Sequence, residues 1–271
     1  MRGRMQRVDE RRTRMPHDEF SLSRERLRGT PFAQIRHVAQ TASTNDDMTA
    51  LLGEPGTGGL TIVADAQTHG NGRRGRTWEA APGAALLFTT ALPEAIPSAH
   101  LWAVTLWTAL VVAKALHALK IPAELRWPND LLLNANKLAG ILCVSRVNGD
   151  HAWVGCGIGI NLLRNASMAN AIEPPPAFCD DAHPVNRDEL LAGILTTMHA
   201  DLALLQTPRR IRVEWEQAAH LAGATYRIIR DGEEHPFDAK VLGLTDDGSL
   251  HVMRADGAYE NVTMADCRIL R

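Results

Sequence analysis

Three stretches of this 271-residue chain carry residue types that could do chemistry. The first is Gln67-Thr-His-Gly70-Asn71-Gly72-Arg73-Arg74-Gly75-Arg76-Thr-Trp78. Glycines let backbone N–H groups approach an anion, and arginines neutralise it. The stretch therefore reads either as a loop that closes over phosphate or as a solvated charged turn. It contains the string G-x-G-x-x-G, but Pro82 and Gly83 follow. A dinucleotide site needs a helix there, with an acidic residue about 20 positions on. No Gly-Lys-Ser/Thr occurs in the chain, which excludes a P-loop. The second stretch is Arg126-Trp-Pro-Asn129-Asp130, which precedes Lys137-Leu-Ala-Gly140. Lys137 reads either as a solvated strand end or as a fixed point charge on a phosphate or carboxylate. The third is Gly155-Cys-Gly157-Ile-Gly159-Ile-Asn161. Alternating glycines strip one face of a strand of side chains. Either a helix crosses closely there, or a ligand lies on a flat floor with Asn161 at its end.

These stretches need elements to hold them. Residues 33–39 read as a strand. Ser43, Thr44 and Asn45 suit an N-cap, and Asp46 and Asp47 suit the first turn of a short helix ending near Leu52. Leu60–Ala66 and Ala84–Leu92 read as strands, and Ser98–Lys120 as one long buried helix. Glu124–Leu133 and Lys137–Val147 read as a hairpin turning at Asn134-Ala-Asn136. A second turn at Asn148-Gly149-Asp150 leads into a strand ending at Asn161. Arg187–Gln206 reads as an amphipathic helix, with Leu190, Leu191, Ile194, Leu195 and Met198 at helical spacing, and a second helix follows over 209–220. From about Thr225, Asp-Gly pairs at 231–232, 247–248 and 256–257 punctuate short strands, the pattern of a small all-β module.

Composition narrows the class. At 45% hydrophobic and 22% charged residues, the chain matches an ordinary globular protein rather than a disordered or coiled-coil one. Of 29 basic residues only four are lysine: Lys114, Lys120, Lys137 and Lys240. Lysine-dependent chemistry therefore has few candidates. The four cysteines lack zinc-ligand spacing, and Cys143 and Cys156 sit in apolar runs as small core residues, which fits a reducing cytoplasm. The stretch Leu101–Ala113 is too short to span a bilayer, and the N-terminus lacks a signal peptide's apolar core. Residues 1–28 carry a net charge of +4, leaving −6 on the rest. That arm reads as a disordered or over-extended start, with Met15 as an alternative first residue.

Five of these motifs share one resemblance. Ser43-Thr-Asn45, Gly70–Trp78, Trp127-Pro-Asn-Asp130, Lys137-Leu-Ala-Gly140 and Gly157-Ile-Gly-Ile-Asn161 stand in the order and spacing of the biotin protein ligases. The chain resembles that family from about residue 36 to its C-terminus. The resemblance implies an α+β fold of the class II synthetase-like, biotin–lipoate ligase type. A tail over 1–30 would precede a catalytic domain over 31–222, a mixed β-sheet flanked by helices. A small SH3-like β-barrel over 223–271 would follow. The implied activity joins biotin to ATP, giving biotinyl-5′-AMP and pyrophosphate. Biotin then passes to one lysine of a biotin carboxyl carrier protein.

By position, the resemblance assigns Ser43, Thr44, Asn45, Gln67, Asn71, Gly72, Arg73, Lys137, Gly157 and Gly159 to biotin. It assigns Gly70, Arg74, Arg76, Trp78, Asn129, Asp130 and Asn161 to ATP, with Asp130 a candidate ligand for Mg²⁺. Lys137 and Arg73 would carry the chemistry. Asn71 departs from the family, where arginine or lysine is frequent, and Arg126 replaces a frequent lysine. Some 30 N-terminal residues are too few for the winged helix of bifunctional members. The expectation is a cytoplasmic ligase, monomeric or weakly dimeric, that binds neither DNA nor membrane. A lipoate or octanoate ligase of the same fold is the nearest rival, although it would want a wholly apolar slot. A nucleic-acid module is the remote one, against a body of net −6.

Overall fold

The computed structural model describes residues 19–164, 175–230, 235–263 and 265–270. Strands β1 (Ile35–Thr41) and β2 (Thr61–Gln67) run parallel, joined by the short helix α2 (Thr44–Thr49). Every other pairing in their sheet is antiparallel: β3 (Ala85–Ala91), β4 (Ile96–Pro97), β5 (Glu124–Arg126), β6 (Asp130–Leu133), β7 (Asn136–Asn148) and β8 (His151–Asn161). The order is β1-β2-β3-β8-β7-β6-β5, with β4 paired to β8. This is the expected mixed sheet.

The sheet has two unlike faces because β8 alternates two residue types. Cys156, Ile158 and Ile160 are buried in the main core. Gly155 and Gly157 lie under α2: a methyl group added there would stand 2.8 Å from Met48 Cγ or 2.1 Å from Asn45 Oδ1. Met48 is fully buried with Leu52, Leu60, Ile62 and Ala91 in a second cluster. The back face carries α3 (Leu101–Ala118), then α4 (Arg187–Asp201) and α5 (Pro208–Ala218). Twelve of the eighteen α3 residues are buried. A helix apolar on all sides belongs inside a protein, and this one lies there although its length and composition would also suit a membrane span.

Two expectations need correction. Glu124–Leu133 is not one strand: it breaks at Trp127-Pro128-Asn129, where β5 turns back on β6. Proline has no N–H for a ladder, so it sits in the turn. The disordered reading of residues 1–30 fails over 19–30. Helix α1 (Ser21–Arg26) packs on α4, and Phe20, Leu27 and Phe32 are buried in the main core. The Asp188 carboxylate accepts the Leu22 and Ser23 amides, each at 2.8 Å. Arg187 beside it pairs with Glu19 at 2.7 Å and Asp65 at 2.8 Å. Met15 lies outside the described residues.

Boundaries elsewhere shift by a few residues. The long helix gains a 3₁₀ turn at Ser98–His100, and the helix read to Gln206 ends at Asp201 before a 3₁₀ segment, Leu202–Gln206. Strands β9 (Thr225–Arg230), β10 (Phe237–Leu244), β11 (Leu250–Arg254), β12 (Tyr259–Val262) and β13 (Ala265–Leu270) form a second, antiparallel sheet in the order β12-β11-β10-β9-β13. This is the expected small β unit. Its turns at Gly248 and Gly257 have φ of 79° and 83°, the left-handed region that glycine favours. The Asp231-Gly232 turn lies outside the described residues. The two sheets meet where the Trp127 indole donates to Gly248 O at 3.1 Å.

Candidate active site

A cavity of about 640 Å³ opens on the glycine face of the large sheet. Of the residues assigned to biotin or ATP whose side chains are described, its lining brings together all but one: Ser43, Thr44, Asn45, Gln67, Asn71, Gly72, Arg73, Arg76, Trp78, Asn129, Asp130, Lys137, Gly157, Gly159 and Asn161. The exception is Gly70. It supports the rim instead: its carbonyl accepts the Trp78 amide at 2.8 Å. The Arg74 side chain lies outside the described residues.

One end of the cavity is a polar cradle. Ser43 caps α2 and accepts the Asn45 amide at 3.2 Å. The Thr44 amide donates to Gln67 Oε1 at 2.8 Å, and its hydroxyl lies 3.1 Å from the same oxygen. Asn45 Nδ2 donates to Leu142 O at 3.0 Å. The buried Thr89 hydroxyl lies 2.7 Å from Asn45 Oδ1 and 2.9 Å from Thr44 Oγ1. Every orientation here is fixed by a partner, so the cradle is formed before anything binds. Sequence reading missed Thr89: it sits in an apolar strand, and no motif marks it.

The other end is cationic. Leu133 pairs with Asn136 across a two-residue turn, with φ of 51° at Asn134 and 65° at Ala135. That tight turn starts β7 at Asn136 and places Lys137 next to the β5–β6 hairpin. Lys137 Nζ lies 2.8 Å from Asp130 Oδ1, and Arg126 binds Asp130 Oδ2. The Asp130 side chain is 14% exposed. Burial alone would raise its carboxyl pKa. The Lys137 and Arg126 charges outweigh that and hold it below the usual carboxylate range. Two cations on one carboxylate leave the group with net positive charge. Each Asp130 oxygen faces one cation, and each keeps a second lone pair.

Asn129 is fixed by its Nδ2, which donates to Ile141 O at 2.7 Å. Its Oδ1 accepts Arg73 Nη1 at 3.2 Å. Asn161 Nδ2 donates to Ala177 O at 3.1 Å. Trp78 roofs the glycine floor: a methyl group added at Gly159 or Gly140 would stand 2.8 or 2.9 Å from its ring. Lys137 Nζ lies 5.5 Å from the same ring's centroid. The glycines thus answer both readings at once. Gly155 and Gly157 admit a helix, and Gly159 floors the cavity.

The arginine–glycine stretch is neither a helix start nor a free coil. Gly72 N donates to Arg76 O at 2.7 Å, and a 3₁₀ turn at Arg73–Gly75 closes the tip. Asn71 Nδ2 donates to Asp46 Oδ1 at 2.7 Å. The second sheet also reaches the cavity through Arg227, Ile229 and Pro236, which sequence reading did not foresee.

The model of the biotin/lipoate A/B protein ligase family matches residues 38–161. A biotin–acetyl-CoA-carboxylase ligase of Mycobacterium tuberculosis is 34% identical over 81% of this chain and 80% of its own length. Another of the same name, from Paracoccus denitrificans, is 38% identical over 84% of this chain and 98% of its own. A solved structure of a biotin protein ligase from Aquifex aeolicus, in complex with biotin and ATP, aligns with a TM-score of 0.70. It is 22% identical over 88% of this chain and 100% of that one, a likeness of fold.

Proposed function

We infer the activity from a premise these relatives establish: this chain belongs to the biotin protein ligases. It activates biotin with ATP, giving biotinyl-5′-AMP and pyrophosphate, and then transfers biotin to a lysine of a biotin carboxyl carrier protein. The observation that carries this reading is the single cavity joining a polar cradle to Lys137 across a glycine floor.

The first step brings two anions together, because the biotin carboxylate attacks the α-phosphate. Fixed positive charge is the remedy for their repulsion. Lys137 is a compact point charge already held in place by Asp130, and we assign it that role. Pyrophosphate leaves in line, which asks for positioning and not for a protein nucleophile. Thr44, Asn45 and Gln67 offer donors and acceptors suited to a ureido ring. Such a cradle disfavours the apolar ring of lipoate. Asn129 and Asn161 are assigned to the nucleotide. Mg²⁺ would arrive with the incoming ATP, and the free lone pairs of Asp130 could contact it.

The product is a mixed anhydride, which water would hydrolyse. Arg73 and Trp78 on the loop cover it until a carrier lysine attacks its carbonyl and AMP departs. We also propose a domain division at 222/223, where α5 gives way to β9, and a cytoplasmic setting, where ATP and the carrier are supplied. Incubation with biotin, Mg²⁺-ATP and a carrier domain tests the reading. Biotin's mass should appear on one carrier lysine, and no mass gain would reject it.

A further inference from the structure

We propose that Asp46 is a positioning residue for this reaction: through Asn71 it holds the arginine–glycine loop over the cavity before any nucleotide arrives. The inference rests on the ligase reading above. Three observations carry it. The loop is bonded within itself, Gly72 N to Arg76 O at 2.7 Å and Trp78 N to Gly70 O at 2.8 Å, so it moves as one piece. It is tied to two walls of the cavity. Arg73 reaches Asn129 in the β5–β6 turn, and Asn71 reaches Asp46 in the first turn of α2. That same helix presents Thr44 and Asn45, so the tie fixes the loop relative to the cradle.

Residue 71 is an asparagine. A basic side chain there can neutralise phosphate, and an asparagine cannot. Its amide instead makes a charge-assisted bond that needs no ligand, at 2.7 Å. Both residues are exposed, so the tie is modest and reversible. A modest tie suits a loop that must open again for the carrier lysine.

The test exchanges the two groups. The complex of the full chain with labelled biotinyl-AMP is isolated, and release of the adenylate is timed. Asn71→Asp sets two carboxylates together and should speed release about tenfold. Adding Asp46→Asn restores an amide facing a carboxylate and should bring release back to within about twofold of wild type. Adding Asp46→Ala instead restores the net charge without the bond, and release should stay fast. The proposal is overturned if Asn71→Asp releases at the wild-type rate, or if both second changes rescue equally. Hydrogen exchange of the 70–78 amides in the ligand-free variants should follow the same order. It reads the tie even if no biotinyl-AMP forms, an outcome that would reject the ligase reading instead.

Discussion

The two cationic regions of the cavity are held in opposite ways. Beside the hairpin, Lys137 and Arg126 close on a carboxylate that is 14% exposed. On the loop, the ties run through exposed residues, Asn71 to Asp46 at 2.7 Å and Arg76 Nε to the Arg73 carbonyl at 3.4 Å. Breaking a mostly buried ion pair such as Arg126–Asp130 costs several kcal/mol, whereas an exposed tie contributes about 1 kcal/mol or less. The first region therefore keeps its shape without a ligand, and the second can let go. This divides the work between a rigid half that makes the adenylate and a releasable half that retains it.

The sharpest way to break that division is Lys137→Ala. Adenylate formation should fall by about 10³, as when an electrostatic stabiliser is removed, with the circular dichroism unchanged. Wild-type rates of biotin-dependent pyrophosphate exchange would remove Lys137 from the mechanism. Asp130→Asn comes next. It leaves the mostly buried Arg126 and the 39%-exposed Lys137 without their carboxylate and should lower stability by about 2 kcal/mol at neutral pH. The Asp130 pKa is lowered in the folded state, so its contribution is fully present above the unfolded value near ~3.9. It is lost as pH falls through the lower folded value. Urea midpoints of wild type and variant should then converge below about pH 4. A gap that persisted at lower pH would count against the ion triad.

Gly157→Ala attacks the cradle. Its methyl group would meet Asn45 Oδ1 at 2.1 Å and the Leu142 carbonyl at 2.6 Å, and the carbonyl is backbone. Biotin affinity by calorimetry should fall about 10²-fold, or some 2.7 kcal/mol. An unchanged affinity would mean that α2 does not form the cradle. Arg73→Gly loosens the releasable half. Biotinyl-AMP should escape about tenfold faster, equal to ~1.4 kcal/mol, and label bystander amines. If it labels no more than wild type, Arg73 does not retain the intermediate. The smallest effect is expected from Trp127→Phe, which keeps a ring but loses the bond to Gly248 O. A loss of about 1 kcal/mol in chemical denaturation is expected. No loss would show that the bond does not couple the sheets.

Much of this was legible in the residues, for reasons that differ by region. The glycines of β8 announced a bare strand face, because glycine in a strand weakens it unless something approaches closely. Asp-Gly pairs marked the second sheet, because hairpin turns need positive φ. The β5–β6 hairpin was hidden by reading apolar Leu125 and Leu131 as one run, although Pro128 between them signalled a turn. Thr89 and the Leu142 carbonyl left no trace, since their roles depend on which strands lie side by side. Helix α1 was obscured by the arginines around it. Phe20 and Leu27 are too few to show a period, and the Asp188 contact is nonlocal.

That nonlocal contact bears on how the protein is made. The Leu22 amide waits for a carboxylate 166 positions later in the chain. Synthesis proceeds from the N-terminus at about 5–20 residues per second, so the wait is roughly ten to thirty seconds. Throughout that interval Phe20, Leu27 and Phe32 have no helix α4 to cover them. The emerging chain carries an adhesive N-terminal segment until more than two thirds of it has been translated.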